Sequence, residues 1–75
     1  MELKTTDIIL AAVLRIKGYA LNDIIIDNNK GIFIFVDIPE ELITEFDLGQ
    51  SLVEPVEFNN AIKTLTTSVR RMNRN

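Results

Sequence analysis

Leu21-Asn22-Asp23-Ile24-Ile25-Ile26 and Ile32-Phe33-Ile34-Phe35-Val36, separated by Asp27-Asn28-Asn29-Lys30-Gly31, decide the fold. The two runs are rich in β-branched and aromatic residues, and turn formers stand between them. Together they read as a β-hairpin. A four-residue turn over Asn28 to Gly31, with Gly31 left-handed, groups Ile24, Ile26, Phe33 and Phe35 on one face. Leu21, Ile25, Ile32, Ile34 and Val36 then share the other. A three-residue loop regroups the faces by one position. Under either register both faces are apolar, whereas an antiparallel ribbon commonly leaves one face to water.

The segment before the hairpin reads as a helix. Thr5 or Thr6 can cap it, Asp7 suits its positive end, and Gly18 can end it after Arg15 and Lys17. Ile9, Ala12, Val13 and Ile16 form one stripe, with Leu10 and Leu14 well to its side. Apolar surface therefore wraps most of this helix, which predicts cover on two sides.

After the hairpin, Asp37 can cap a second helix with Pro39 in its first turn. Leu42, Ile43 and Phe46 form its buried side, and Gly49 closes it. A third helix opens at Pro55 behind Glu54. It carries a single stripe of Phe58, Ala61, Ile62, Leu65, Val69 and Met72. The predicted architecture is α+β, in the order α-β-β-α-α, with a two-stranded antiparallel hairpin packed on three helices. It forms one domain over residues 1–75, with a core of about 5–72 and a frayed tail at 73–75.

These features follow one another in a characteristic order. Thr5-Thr6-Asp7 leads into an apolar helix ending Lys17-Gly18-Tyr19, and the hairpin closes on Phe33-Ile34-Phe35-Val36-Asp37. Phe46, Gly49, Val53, Pro55, Phe58, Ala61 and Leu65 come next. The order resembles a family of short domains of unknown function from bacterial, prophage and phage genomes. That family has a Thr-Thr-Asp start, a Lys-Gly-Phe/Tyr turn and a Val-Asp-Pro lead into an amphipathic helix. Glu54 stands where the family usually has Asp. The resemblance spans roughly Thr5 to Val69 and implies a fold and a phage-like genomic setting, without an activity.

Composition narrows the chemistry. With no His and no Cys among 75 residues, the common Ser-His and Cys-His nucleophile pairs are impossible and the usual zinc ligands are missing. Ser51 and Ser68 have no activating neighbour in the sequence. Glu40-Glu41 and Glu54/Glu57 are carboxylate pairs, and Glu40 and Glu41 already suit a helix N-terminus. Asp23, Asp27, Asn28 and Asn29 lack calcium-loop spacing. The three glycines are isolated, so no phosphate-cradling loop is present. The expectation is a protein that is not an enzyme and has no catalytic, metal or cofactor residues.

Size and charge point toward association. A chain this short buries only ~60% of the surface its unfolded form exposes, yet 47% of its residues are hydrophobic. Small domains without staples are often completed by oligomerisation. The sequence therefore predicts a homodimer, or contact with a host or phage protein, through Leu10, Leu14, Ile24, Ile26, Phe33 and Phe35. Hairpin edges could also join two copies into a four-stranded sheet.

The net charge of −3 is unevenly spread. Seven carboxylates and no cation lie between Gly31 and Ile62, then four cations and no acid from Lys63 onward. The rival expectation is a nucleic-acid-associated accessory protein using Lys63, Arg70, Arg71 and Arg74 on phosphates. The acidic balance weighs against it. The longest apolar run, Ile8 to Leu14, is far short of the ~20 residues of a membrane span. With no signal peptide at Met1-Glu2-Leu3-Lys4, the expected location is the cytoplasm, that of the host cell if the protein is phage-encoded.

Overall fold

The computed structural model describes residues 1–73. Its elements are β1 (Leu3–Thr5), α1 (Ile8–Ile16), β2 (Leu21–Asp27), β3 (Lys30–Phe35), α2 (Glu40–Asp47) and α3 (Pro55–Met72). The class is α+β with three helices, as the sequence predicts. The sheet, however, has three antiparallel strands in the order β1-β3-β2 rather than two.

The added strand is the segment before the first helix. Leu3 pairs with Phe35, Lys4 with Ile34 and Thr5 with Phe33. Beyond the strand, Met1 and Ile38 exchange two backbone hydrogen bonds, each 3.0 Å. The packed core therefore reaches back beyond residue 5, to Leu3. Because Thr5 belongs to the strand, it does not cap the helix. Asp7 does: its Oδ1 accepts from the N–H groups of Ile9 (2.9 Å) and Leu10 (3.3 Å). Thr5 Oγ1 in turn accepts from Asp7 N–H at 3.0 Å.

The hairpin turn is tighter than either sequence register. Asp27 pairs directly with Lys30, and Asn28 (φ 51°) and Asn29 (φ 67°) form a two-residue loop. Two successive left-handed residues match the twist of the flanking strands, and Asn tolerates that conformation. Gly31 is not left-handed; it lies in β3 opposite Ile26. Two-residue and four-residue loops have the same parity, so Ile24, Ile26, Phe33 and Phe35 do share a face. Leu21 joins them, because an irregularity between Leu21 and Asp23 shifts the register by one residue.

That inner face carries the core. Leu10, Ala11, Ala12 and Leu14 of α1, Ile24, Phe33, Phe35, Ile38 and Leu65 of α3 form one buried cluster. Leu42, Ile43 and Phe46 of α2 and Phe58, Ala61, Ile62 and Val69 of α3 pack against it. All three helices thus place apolar side chains on the same side of the sheet. The two-sided cover expected for α1 comes from α3 and the sheet of the same chain, and five consecutive residues, Leu10 to Leu14, are buried.

Helix ends follow local rules. After α1, Gly18 N–H donates to Arg15 O and Tyr19 N–H to Leu14 O. After α2, Gly49 N–H donates to Phe46 O and Gln50 N–H to Glu45 O. Gly18 (φ 97°) and Gly49 (φ 70°) are left-handed, completing a Schellman motif each time. Glu54 caps α3, its Oε2 accepting from Glu57 N–H at 2.7 Å. Asp37 does not cap α2. It is held left-handed (φ 58°) between Phe35 and the buried Ile38, and Pro39 occupies the cap position without a side-chain bond. Met72, expected in the buried stripe, is exposed, and Asn73, expected in the tail, is the C-cap of α3.

Candidate interaction surface

The six residues expected at a partner interface lie elsewhere. Phe35 (0% exposed), Leu14, Phe33, Leu10 and Ile24 are interior to the chain, and Ile26 packs against them. The correction has a simple cause. β1 and the three helices supply the cover that the hairpin and α1 were expected to take from a second copy.

What stays uncovered is the opposite face of the sheet. Strand alternation puts Lys4, Asp23, Ile25, Asp27, Lys30, Ile32 and Ile34 on it. Ile25 is 44% exposed, Ile32 partly so, and Val36, next in the alternation, is exposed. Ile34 is only 7% exposed, yet it stands apart from the main cluster, in the middle of this face. Lys4 and Asp23 both pair with Ile34, so the three residues make one cross-strand row with a cation on one flank and an acid on the other. Lys4 Nζ also lies 3.7 Å from Glu2 Oε1, a pair exposed enough to contribute little.

Both sheet edges are guarded. β1 is only three residues long. On β2, Asp27 and Lys30 are the pair that closes the turn, and alternation then aims the N–H groups of Ile24 and Ile26 at the open edge. Asp23 Oδ1 accepts the Ile24 N–H at 2.8 Å, and the irregularity beside it bends the strand. Short edges, bulges and edge carboxylates all discourage strand addition.

The expected nucleic-acid residues border two different depressions along α3. Lys63 and Arg71 border a shallow depression with Thr64, Thr67 and Ser68. Arg70 turns instead toward a cleft against the hairpin tip, lined by Asn29, Lys30, Gly31, Phe33, Thr66, Val69 and Asn73 among others. Arg74 lies outside the described residues. Glu40, Glu41 and Glu45 flank a shallow dip on α2 with Thr44. No three His, Cys, Asp or Glu side chains among the described residues are grouped to hold a metal ion, and no described helix is long and apolar enough to cross a membrane.

Lys4, Asp23, Ile25, Ile32 and Ile34 were not singled out from the sequence as a site. Their only signal was the alternation of the hairpin, and the role of Lys4 depends on a strand too short to show a period. No protein-family model, curated protein or solved structure matches this chain.

Proposed function

We propose that this chain is a non-enzymatic interaction module that acts as a homo-oligomer through the outer face of its sheet. One observation carries the reading: Ile25, Ile32 and Val36 leave apolar surface open around the buried Ile34 on the face opposite the helices. Guarded edges favour face-to-face packing over sheet extension. The resemblance to short phage and prophage domains supports an accessory-subunit role, where a small protein modulates a host or phage complex.

The size of the face sets the strength. Two strands of some six residues and one of three, about 4.8 Å apart and about 3.4 Å per residue, make a face of about 250 Å² per copy. Twice that is well under the ~1,200 Å² of stable interfaces. Self-association is therefore weak and visible at high micromolar concentration. Sedimentation velocity over a hundredfold dilution range up to about 1 mM tests it. The sedimentation coefficient rises with concentration in the wild type and stays flat in Ile32→Lys. A wild type that sediments as a monomer throughout removes the proposal.

A second reading rests on the Lys63 and Arg71 depression, where two cations and three hydroxyls lie together without an acid. Such a face suits phosphate contacts. Fluorescence anisotropy with short DNA and RNA at low salt tests it. Binding that is lost in Lys63→Ala with Arg71→Ala, and kept in Arg70→Ala, supports this reading; no binding at all ends it.

A further inference from the structure

We infer that the two copies meet about a two-fold axis running parallel to the strands over Ile34, so that Lys4 of each copy faces Asp23 of the other. This rests on the outer-face reading above and specifies its partner and geometry.

Two in-plane axes bring the outer faces of two such sheets together with their strands aligned. An axis across the strands lays β1 on β1 and β2 on β2. Centred on the row of Ile34, it sets Lys4 against Lys4 and Asp23 against Asp23. An axis along the strands exchanges the two sides of the sheet. β1 of one copy then covers β2 of the other, the buried Ile34 of each copy lies beneath the axis, and the row closes with two opposite-charge pairs.

Lys4 and Asp23 flank Ile34 in this way because each is its direct cross-strand partner. Neighbouring strands are about 4.8 Å apart, so the two charges lie about 10 Å from one another across the row. Both side chains are exposed, and the exposed Glu2 beside Lys4 is a pair weak enough to yield to a partner's carboxylate. Lys30 lies on the central strand toward the hairpin tip, and its approach to its own twin is offset by its cross-strand neighbour Asp27. Like-charge juxtaposition is what specific interfaces avoid, and here it selects between the two axes.

The test combines the self-association of single charge-reversed variants, read by sedimentation, with heterodimer formation in their mixtures, read by native mass spectrometry. Lys4→Glu alone sets acid against Asp23, and Asp23→Lys alone sets cation against Lys4. Each variant self-associates about tenfold more weakly than wild type. Mixed together, they form a heterodimer in which both pairs are restored. Asp23 also accepts the Ile24 N–H, so Asp23→Asn serves as a control that keeps an acceptor while losing the charge. It weakens self-association less than Asp23→Lys does, and circular dichroism of all variants stays that of wild type.

A contrary pattern is equally readable. If each single variant self-associates as strongly as wild type while the two together still form a heterodimer, like charges face each other in wild type and the axis runs across the strands. If wild type dimerises and none of these variants, alone or mixed, changes it, another surface is used. Either result overturns the axis while leaving self-association standing. A wild type that is monomeric at every concentration removes both.

Discussion

Val69 closes over Gly31 so tightly that a Cβ on Gly31 would stand 2.6 Å from Val69 Cγ2 and 3.2 Å from Cγ1. This contact locks the C-terminal half of α3 onto the hairpin beside its turn. Gly31 is therefore required by the helix packed on it and not by its own backbone angles.

Gly31→Ala should destabilise the fold by about 1–3 kcal/mol, the usual cost of overpacking, although Ala suits a strand better than Gly. Val69→Ala should also destabilise, through lost burial. The double variant should be more stable than the sum of the two, because the smaller Val69 substitute makes room for the new methyl. Urea unfolding of the four proteins measures the coupling. Strict additivity would show that the contact is not what excludes a side chain at Gly31.

The two-residue loop makes a separate prediction. Asn29 is left-handed at φ 67° with no conformational requirement beyond that angle. Asn29→Gly gives the preferred Asn-Gly pair and should leave stability unchanged or raise it by up to about 1 kcal/mol. Asn28→Val places a β-branched residue at positive φ and should cost about 1–2 kcal/mol. Thermal unfolding of both variants checks the turn. Tolerance of Asn28→Val would favour one of the longer loops.

The helix ends could be read from the sequence because each is decided within a few residues. Gly18, Gly49 and the Glu54-Pro55 pair carry their instructions locally. β1 could not be read this way, since Leu3-Lys4-Thr5 is too short for alternation to stand out and its partner lies some thirty residues on, in β3. The wrong assignment of Phe33, Phe35, Leu10 and Leu14 to an interface has the same root. Hydropathy reports how much apolar surface a segment carries. It does not say whether a third strand and three helices of the same chain or a second copy will cover it. The surface that did stay open was hidden because Ile25 and Ile32 looked no different from the isoleucines beside them.

Phe35 and Ile25 now separate folding from association. Phe35 is fully buried, so Phe35→Asp places an unpaired carboxylate in the core and should unfold the chain outright. Ile25 is exposed on the outer face, so Ile25→Asp should keep the wild-type circular dichroism and thermal midpoint within a few degrees while losing self-association. A folded, monomeric Phe35→Asp protein would return Phe35 to an interface.

The most direct test of the outer face as the association surface is an amide chemical-shift dilution series by two-dimensional NMR. On dilution from high micromolar concentration, the largest movements should fall on Lys4, Asp23, Ile25, Ile32, Ile34 and Val36, with Leu10, Leu14 and the solvent side of α3 still. Shifts that do not move at all, or that move along Lys63, Thr67 and Arg71 instead, would contradict it.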